Sequence, residues 1–172
     1  MPHHQTGAAK ADIATVARHW LGLEGTSDWH VITQDMVDTY AALSGDGEGE
    51  WVHLDAERAA DELPYGGTIV QGFFQVTHLS KLGAEALRGI EQIDINHALN
   101  YGFDRLRFAN PMPVGAPFRA RLQVTETTRR PAGGLLVKQS VKLELEDGTP
   151  TLVADWLFLL GDDAFAAAAP AA

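Results

Sequence analysis

Three side chains in one short stretch are suited to moving protons. Asp46, Glu48 and His53 fall within Ser44-Gly45-Asp46-Gly47-Glu48-Gly49-Glu50-Trp51-Val52-His53-Leu54-Asp55. An imidazole titrates near neutrality and a carboxylate lower, so the two together can take a proton from water and hand one on. Residue type alone also admits plainer roles. An Asp after Ser-Gly is a common turn residue, and a His between Val52 and Leu54 is as readily a buried, hydrogen-bonded ring. Elsewhere the signals are weaker. Gly66 and Gly67 belong to a Pro64-Tyr65-Gly66-Gly67 turn without a phosphate-loop pattern. His3, His4 and His78 stand at no metal-ligand spacing to a carboxylate, so no metal site is read.

Composition bounds what these residues can belong to. A chain of 172 residues with 45% hydrophobic and 21% charged residues is long enough for one packed domain. The formal charge of −10 argues against nucleic acid as a partner, since a phosphate backbone would be repelled. The absence of Cys removes disulfides, thiolate nucleophiles and Cys-type zinc sites. No apolar run approaches the ~20 residues of a membrane helix, and the N-terminus lacks the order of a secretory signal. The expectation is a cytoplasmic protein without membrane contact. Residues 1–10 read as a flexible N-terminus, 11–162 as a single domain and 163–172 as an Ala-rich tail.

The elements that would position the stretch follow from periodicity. Ile13, Val16, Ala17 and Trp20 sit at helical spacing within residues 8–20, with Gly22 and Gly25 as stop signals. Residues 29–33 are a short strand candidate. Thr33 can cap a helix over 34–44, and Asp55 can cap a brief one over 56–63. The longest helical pattern opens at Thr68 and runs to about Arg88. Apolar or small residues on several of its faces predict a helix wrapped by other elements. The period then changes. Residues 97–108 read as a strand. Phe118, Ala120, Leu122 and Val124 alternate with polar partners, as do Val137, Val141, Leu143 and Leu145, and 152–160 is apolar on both faces. A long helix followed by long antiparallel strands predicts an α+β fold in which a curved sheet wraps the helix.

Four stretches in this order resemble the MaoC-like hydratases and dehydratases of the hot-dog fold, particularly the branch of nodulation protein N. They are Asp28-Trp29 through Thr33-Gln34 to Ser44-Gly45-Asp46; Trp51-Val52-His53-Leu54-Asp55 with Glu57-Arg58-Ala59; Gly66-Gly67-Thr68-Ile69-Val70-Gln71-Gly72-Phe73; and Asn100-Tyr101-Gly102 with Arg107-Phe108 and Pro113-Val114-Gly115. The resemblance implies an antiparallel sheet around a long central helix. It also implies reversible hydration of a 2-enoyl thioester to the (R)-3-hydroxyacyl thioester. The carrier is usually coenzyme A, sometimes acyl carrier protein, and no cofactor is needed beyond coenzyme A as part of the substrate. The family's Asp and His fall on Asp46 and His53, its helix-start amide on Gly72 and its helix hydroxyl on Ser80. Asn100 and Tyr101 are further candidates for substrate contact. A helix-start amide suits the developing oxyanion, because its N–H is unpaired and the helix end is partly positive.

The chain departs from the family pattern in two places. The pair is normally five positions apart and here is seven, with Gly47 and Gly49 in the lengthened loop. The intact Ser44-Gly45-Asp46 run favours Asp46, while Glu48, five before His53, is the alternative carboxylate. Where the family has His before the helix glycine, this chain has Gln71, a candidate for substrate contact at the helix start, and the change is expected to alter packing or substrate contacts only. Trp29 and Trp51 are expected in the core. Phe73 and Phe74 either line an acyl channel or simply pack. Lys81, Arg105, Arg107 and Arg119 are candidates to meet a CoA phosphate. A free sheet edge invites pairing; the resemblance implies a homodimer or higher homo-oligomer with the site at the seam, and the two apolar faces of 152–160 suit such burial. Two other functions compete: a thioesterase on the same fold, and a non-catalytic acyl-thioester binder in which the longer loop has lost the pair.

Overall fold

The computed structural model describes residues 13–47, 49–88, 97–131 and 133–161. Both terminal segments, and Glu48 as the alternative carboxylate, lie outside the described residues. The elements in chain order are α1 (Ile13–Trp20), β1 (Glu24–Thr26), β2 (His30–Val31), α2 (Gln34–Ser44), α3 (Trp51–Leu54), α4 (Ala56–Glu62), α5 (Gly72–Ala86), β3 (His97–Phe108), β4 (Pro117–Arg129), β5 (Leu135–Leu145) and β6 (Pro150–Gly161). The strands form one antiparallel sheet in the order β1-β4-β5-β6-β3, with β2 also paired to β4.

One face of the sheet packs on α5. Leu79, Leu82 and Ala86 of the helix meet Phe118, Ala120, Leu122, Val141, Leu143, Leu152, Ala154 and Trp156 of the strands. Alternate residues of each strand supply this row because successive side chains point to opposite faces. A second cluster, in which Val16 of α1 meets Val124, Leu135, Val137 and Leu160, covers the rest of the inner face. Gly25 contributes as a close-approach residue in β1 rather than as a helix stop. A Cβ there would collide with the Ala86 carbonyl at the end of α5.

Several sequence expectations change. The long helix starts at Gly72, not Thr68. Val70 N–H donates to Met112 O at 2.8 Å, Val114 N–H donates to Thr68 O at 2.9 Å, and Ile69 bridges Pro113. These backbone groups are committed to the β3–β4 connection and cannot also form a helical turn. Nor is α5 wrapped on all sides. Its buried residues are Gln75, Leu79, Leu82, Gly83 and Ala86, while Phe73 is 67% exposed, because a single sheet covers one side of a helix. Trp29 is not core: it is 42% exposed with the Arg119 guanidinium 4.4 Å above its ring. Trp51 is half-buried under Arg58 at 4.1 Å. The strand expected over 29–33 shortens to His30–Val31. Finally, β6 is an interior strand, so its doubly apolar character already finds burial within the chain. The sheet ends on the short β1 at one edge and on the long β3 at the other, and on β3 Leu99, Tyr101 and Phe108 stay exposed.

Candidate active site

Asp46 is placed by the way α2 begins and stops, and its bond is to Ser44 rather than to the His53 group. Thr33 Oγ1 accepts from Met36 N–H at 3.4 Å, capping the start. At the other end Gly45 adopts a left-handed conformation (φ 76°) and its N–H donates to Ala41 O at 3.0 Å. A glycine is favoured there because a Cβ would clash in that region. Ser44 Oγ donates back to Tyr40 O at 2.9 Å and accepts from Asp46 N–H at 3.3 Å. The Ser-Gly-Asp run is therefore a helix stop that leaves the Asp46 carboxylate half-buried just beyond it.

His53 is fixed more firmly. It sits in the single turn of α3, where its N–H donates to Glu50 O at 3.0 Å. Gln34 Nε2 donates to His53 O at 2.8 Å, and Thr68 Oγ1 donates to Gln34 Oε1 at 2.5 Å. Ile69 N–H donates to Val52 O at 3.1 Å. The ring itself places Nδ1 2.6 Å from Ile69 O. A carbonyl can only accept, so Nδ1 carries the proton and Nε2 is left with its lone pair. The half-buried ring is thus held in one tautomer by a carbonyl three residues before α5 begins.

That helix start is bare of side-chain caps. Gln71 occupies the N-cap position but makes no capping hydrogen bond. It is buried instead, its Nε2 donating to Val37 O at 3.3 Å and its Oε1 without a partner. The first N–H groups of α5, Gly72 among them, thus receive no side-chain cap and suit an oxyanion. The space a Cβ would fill at Gly72 is bounded by Phe108, whose ring atoms would lie 2.8 Å from it. Phe73 meets the same ring edge-on at 5.9 Å between centroids.

The structure thus gathers Gln34, His53, Thr68, Ile69 and the α5 start into one bonded group. The other candidates stand apart from it. Ser80 is exposed two turns along α5, on the rim of an apolar cavity. Asn100 Oδ1 accepts from Trp156 Nε1–H at 3.0 Å. Tyr101 is 53% exposed beneath Arg130. Phe74 stacks on Tyr40 at 4.5 Å, so it packs α5 against α2. Of the candidate cations, Arg105 pairs with Asp155 and Arg119 with Glu144, and Arg107 donates to Leu106 O. Gln34, Thr68 and Phe108 are contributors to this group that motif reading did not assign. A hollow of about 580 Å³ lies away from His53 on the outward side of the sheet among Arg105, Arg121, Lys142 and Asp155. Its lining is ion-paired and holds none of the proton-transfer candidates. Among the described residues no three His, Asp or Glu side chains gather closely enough to hold a metal ion.

Comparison with known proteins defines the class first. The hot-dog fold is shared with the (R)-hydratase PhaJ1 from Pseudomonas aeruginosa, at TM-score 0.63 and 20% identity over 83% of each chain. It is shared too with the C-terminally truncated HadBC complex, a 3R-hydroxyacyl-ACP dehydratase from Mycobacterium tuberculosis, at TM-score 0.66 and 19% identity over 89% of this chain and all of that one. In sequence, nodulation protein N of Rhizobium leguminosarum bv. viciae is 34% identical over 140 residues, 81% of this chain and 84% of that protein. The 3-hydroxyacyl-thioester dehydratase Z of Mycobacterium tuberculosis is 33% identical over 154 residues, 88% of this chain and 95% of that protein. The family model for the MaoC like domain matches residues 24–144. The chain belongs to the MaoC-like dehydratase family.

Proposed function

We propose that this protein adds water across the C2=C3 bond of a 2-enoyl thioester, giving the (R)-3-hydroxyacyl thioester, and runs the reverse elimination. The observation that carries the reading is the Nδ1 contact of His53 with Ile69 O, three residues before the uncapped start of α5, which leaves Nε2 as the available base. In hydration, the oxygen of water bonds to C3 and a proton is delivered to C2. The electron pair of the double bond passes transiently toward the thioester oxygen, where the α5 amides, Gly72 foremost, receive it. His53 and Asp46 share the water, one removing its proton and the other supplying the proton for C2. The substrate is an acyl-CoA, and coenzyme A enters only as the carrier. The active form is a homodimer paired through the free edge of β3.

The test is hydration of an enoyl-CoA followed by loss of the conjugated-thioester absorbance, with free thiol measured in parallel. Loss without thiol release supports the reading, and thiol release would assign a thioesterase. His53→Ala and Asp46→Ala should each lower kcat/KM by about 10²–10⁴-fold without unfolding the protein, the usual worth of a positioned acid or base. Wild-type turnover in both variants would end the proposal.

A further inference from the structure

The row of β5 that faces the core reads Leu135, Val137, Gln139, Val141, Leu143, and Gln139 is its polar exception. It is 3% exposed, and its Oε1 has no hydrogen-bond partner. A buried acceptor left unpaired is destabilising, so Gln139 Oε1 is a ready acceptor for a donor brought in from outside the chain. The space for one is adjacent. Gln139 lines a mostly apolar, partly open cavity of about 220 Å³, walled by Trp20 of α1, Ser80 and Gly83 of α5, and Trp156 and Phe158 of β6. A second unpaired polar atom belongs to the same wall: Trp20 Nε1, a buried donor without a partner. Apolar walls thus meet one orphan acceptor and one orphan donor.

Ser80, on the rim of this cavity, shares α5 with Gly72, so an acyl chain held at the helix start and running along α5 would reach it. Ser80 is eight residues along α5 from Gly72, about 12 Å at 1.5 Å per residue. Resting on the hydratase reading, the geometry points to a substrate whose acyl group is of medium length and carries a hydroxyl near its far end. An alkyl end would satisfy neither orphan atom, and a carbonyl would satisfy the indole alone. A hydroxyl accepts from Trp20 Nε1–H and donates to Gln139 Oε1.

Matched eight-, ten- and twelve-carbon trans-2-enoyl-CoA thioesters, with and without a terminal hydroxyl, test this by kcat/KM. Calorimetric binding of the corresponding saturated acyl-CoA pairs needs no turnover and gives a second readout. For at least one chain length the hydroxylated member should be favoured about tenfold, the worth of two neutral hydrogen bonds. That ratio should fall towards one in Gln139→Leu, and fall in part in Trp20→Phe, which keeps an aromatic ring in the wall. Equal binding and turnover of every pair in the wild type would overturn the inference while leaving the hydratase reading intact, the orphan atoms then being served by ordered water. Preferential binding of the hydroxylated thioester without hydration of any enoyl-CoA would uphold the cavity assignment and sink the hydratase reading. A preference unchanged in both variants would also overturn it.

Discussion

At His53 one 2.6 Å contact does more than residue identity could. Histidine in a neutral site exists in two tautomers, and the Ile69 carbonyl selects the one with a free Nε2. Gly72 is the other residue whose type matters through a neighbour. Its missing Cβ admits the Phe108 ring to the α5 start. Gly72→Ala should therefore destabilise the fold by about 1–3 kcal/mol in urea denaturation, the usual cost of forced overpacking. Much of that loss should be recovered in the double variant with Phe108→Ala. Equal stability of Gly72→Ala and wild type would show that Phe108 simply steps aside.

Among the elements, α5 couples core and site, and it carries a pH-sensitive member. His78 donates Nδ1–H to Phe74 O at 2.9 Å and packs edge-on against Phe74 and Phe118. Burial pushes its pKa below 6.5, and nearby Lys81 and His30 push the same way, against the pull of the Phe74 carbonyl. The unfolded chain then binds a proton at a higher pH than the folded one. Stability conferred by the neutral ring is present above about pH 6.5 and is lost as the pH falls through the lower folded value. His78→Gln should be less stable at pH 7.5, having lost ring packing, yet should show a flatter fall in melting temperature between pH 7 and 5. An unchanged slope would remove His78 as its source.

For the whole molecule, two features of the sheet bear on the proposed assembly and on acid tolerance. The β3 edge carries exposed Leu99 and Tyr101, 48% and 53% accessible. If a second copy pairs there, Leu99→Lys should convert a dimer to a monomer in light scattering and lower activity with it. A variant that stays dimeric would move the interface elsewhere. On the outward side, β4 and β5 are cross-linked by Glu144, which accepts from Arg119 at 2.9 Å, Arg121 at 2.6 Å and Lys142 at 2.7 Å. Burial alone would raise its pKa, but the bonds from Lys142, Arg121 and Arg119 together hold it at about 2. Its contribution, on the order of 2 kcal/mol, is present above pH 4.5 and lost as the pH falls towards 2. Glu144→Gln should lower stability at pH 7 and abolish that part of the acid-induced loss in a denaturation series.

Much of this architecture is written locally. Thr33 caps α2 and Gly45 ends it because capping is settled within four residues, and the alternation along β4 and β5 shows its inward row wherever it is read. With those signals came the family resemblance and its candidate pair. Tertiary structure decided what depends on partners far along the chain. Residues 68–70 are extended because Met112 and Val114, more than forty positions on, claim their backbone groups. Trp29, left out of the core, is shielded only in part, by Arg119 reaching over it from β4. The tautomer of His53, the ring over Gly72 and the orphan atoms of Trp20 and Gln139 likewise arise only when distant segments meet. Propensity and capping are properties of neighbouring residues, whereas a site is a property of the topology that brings strangers together.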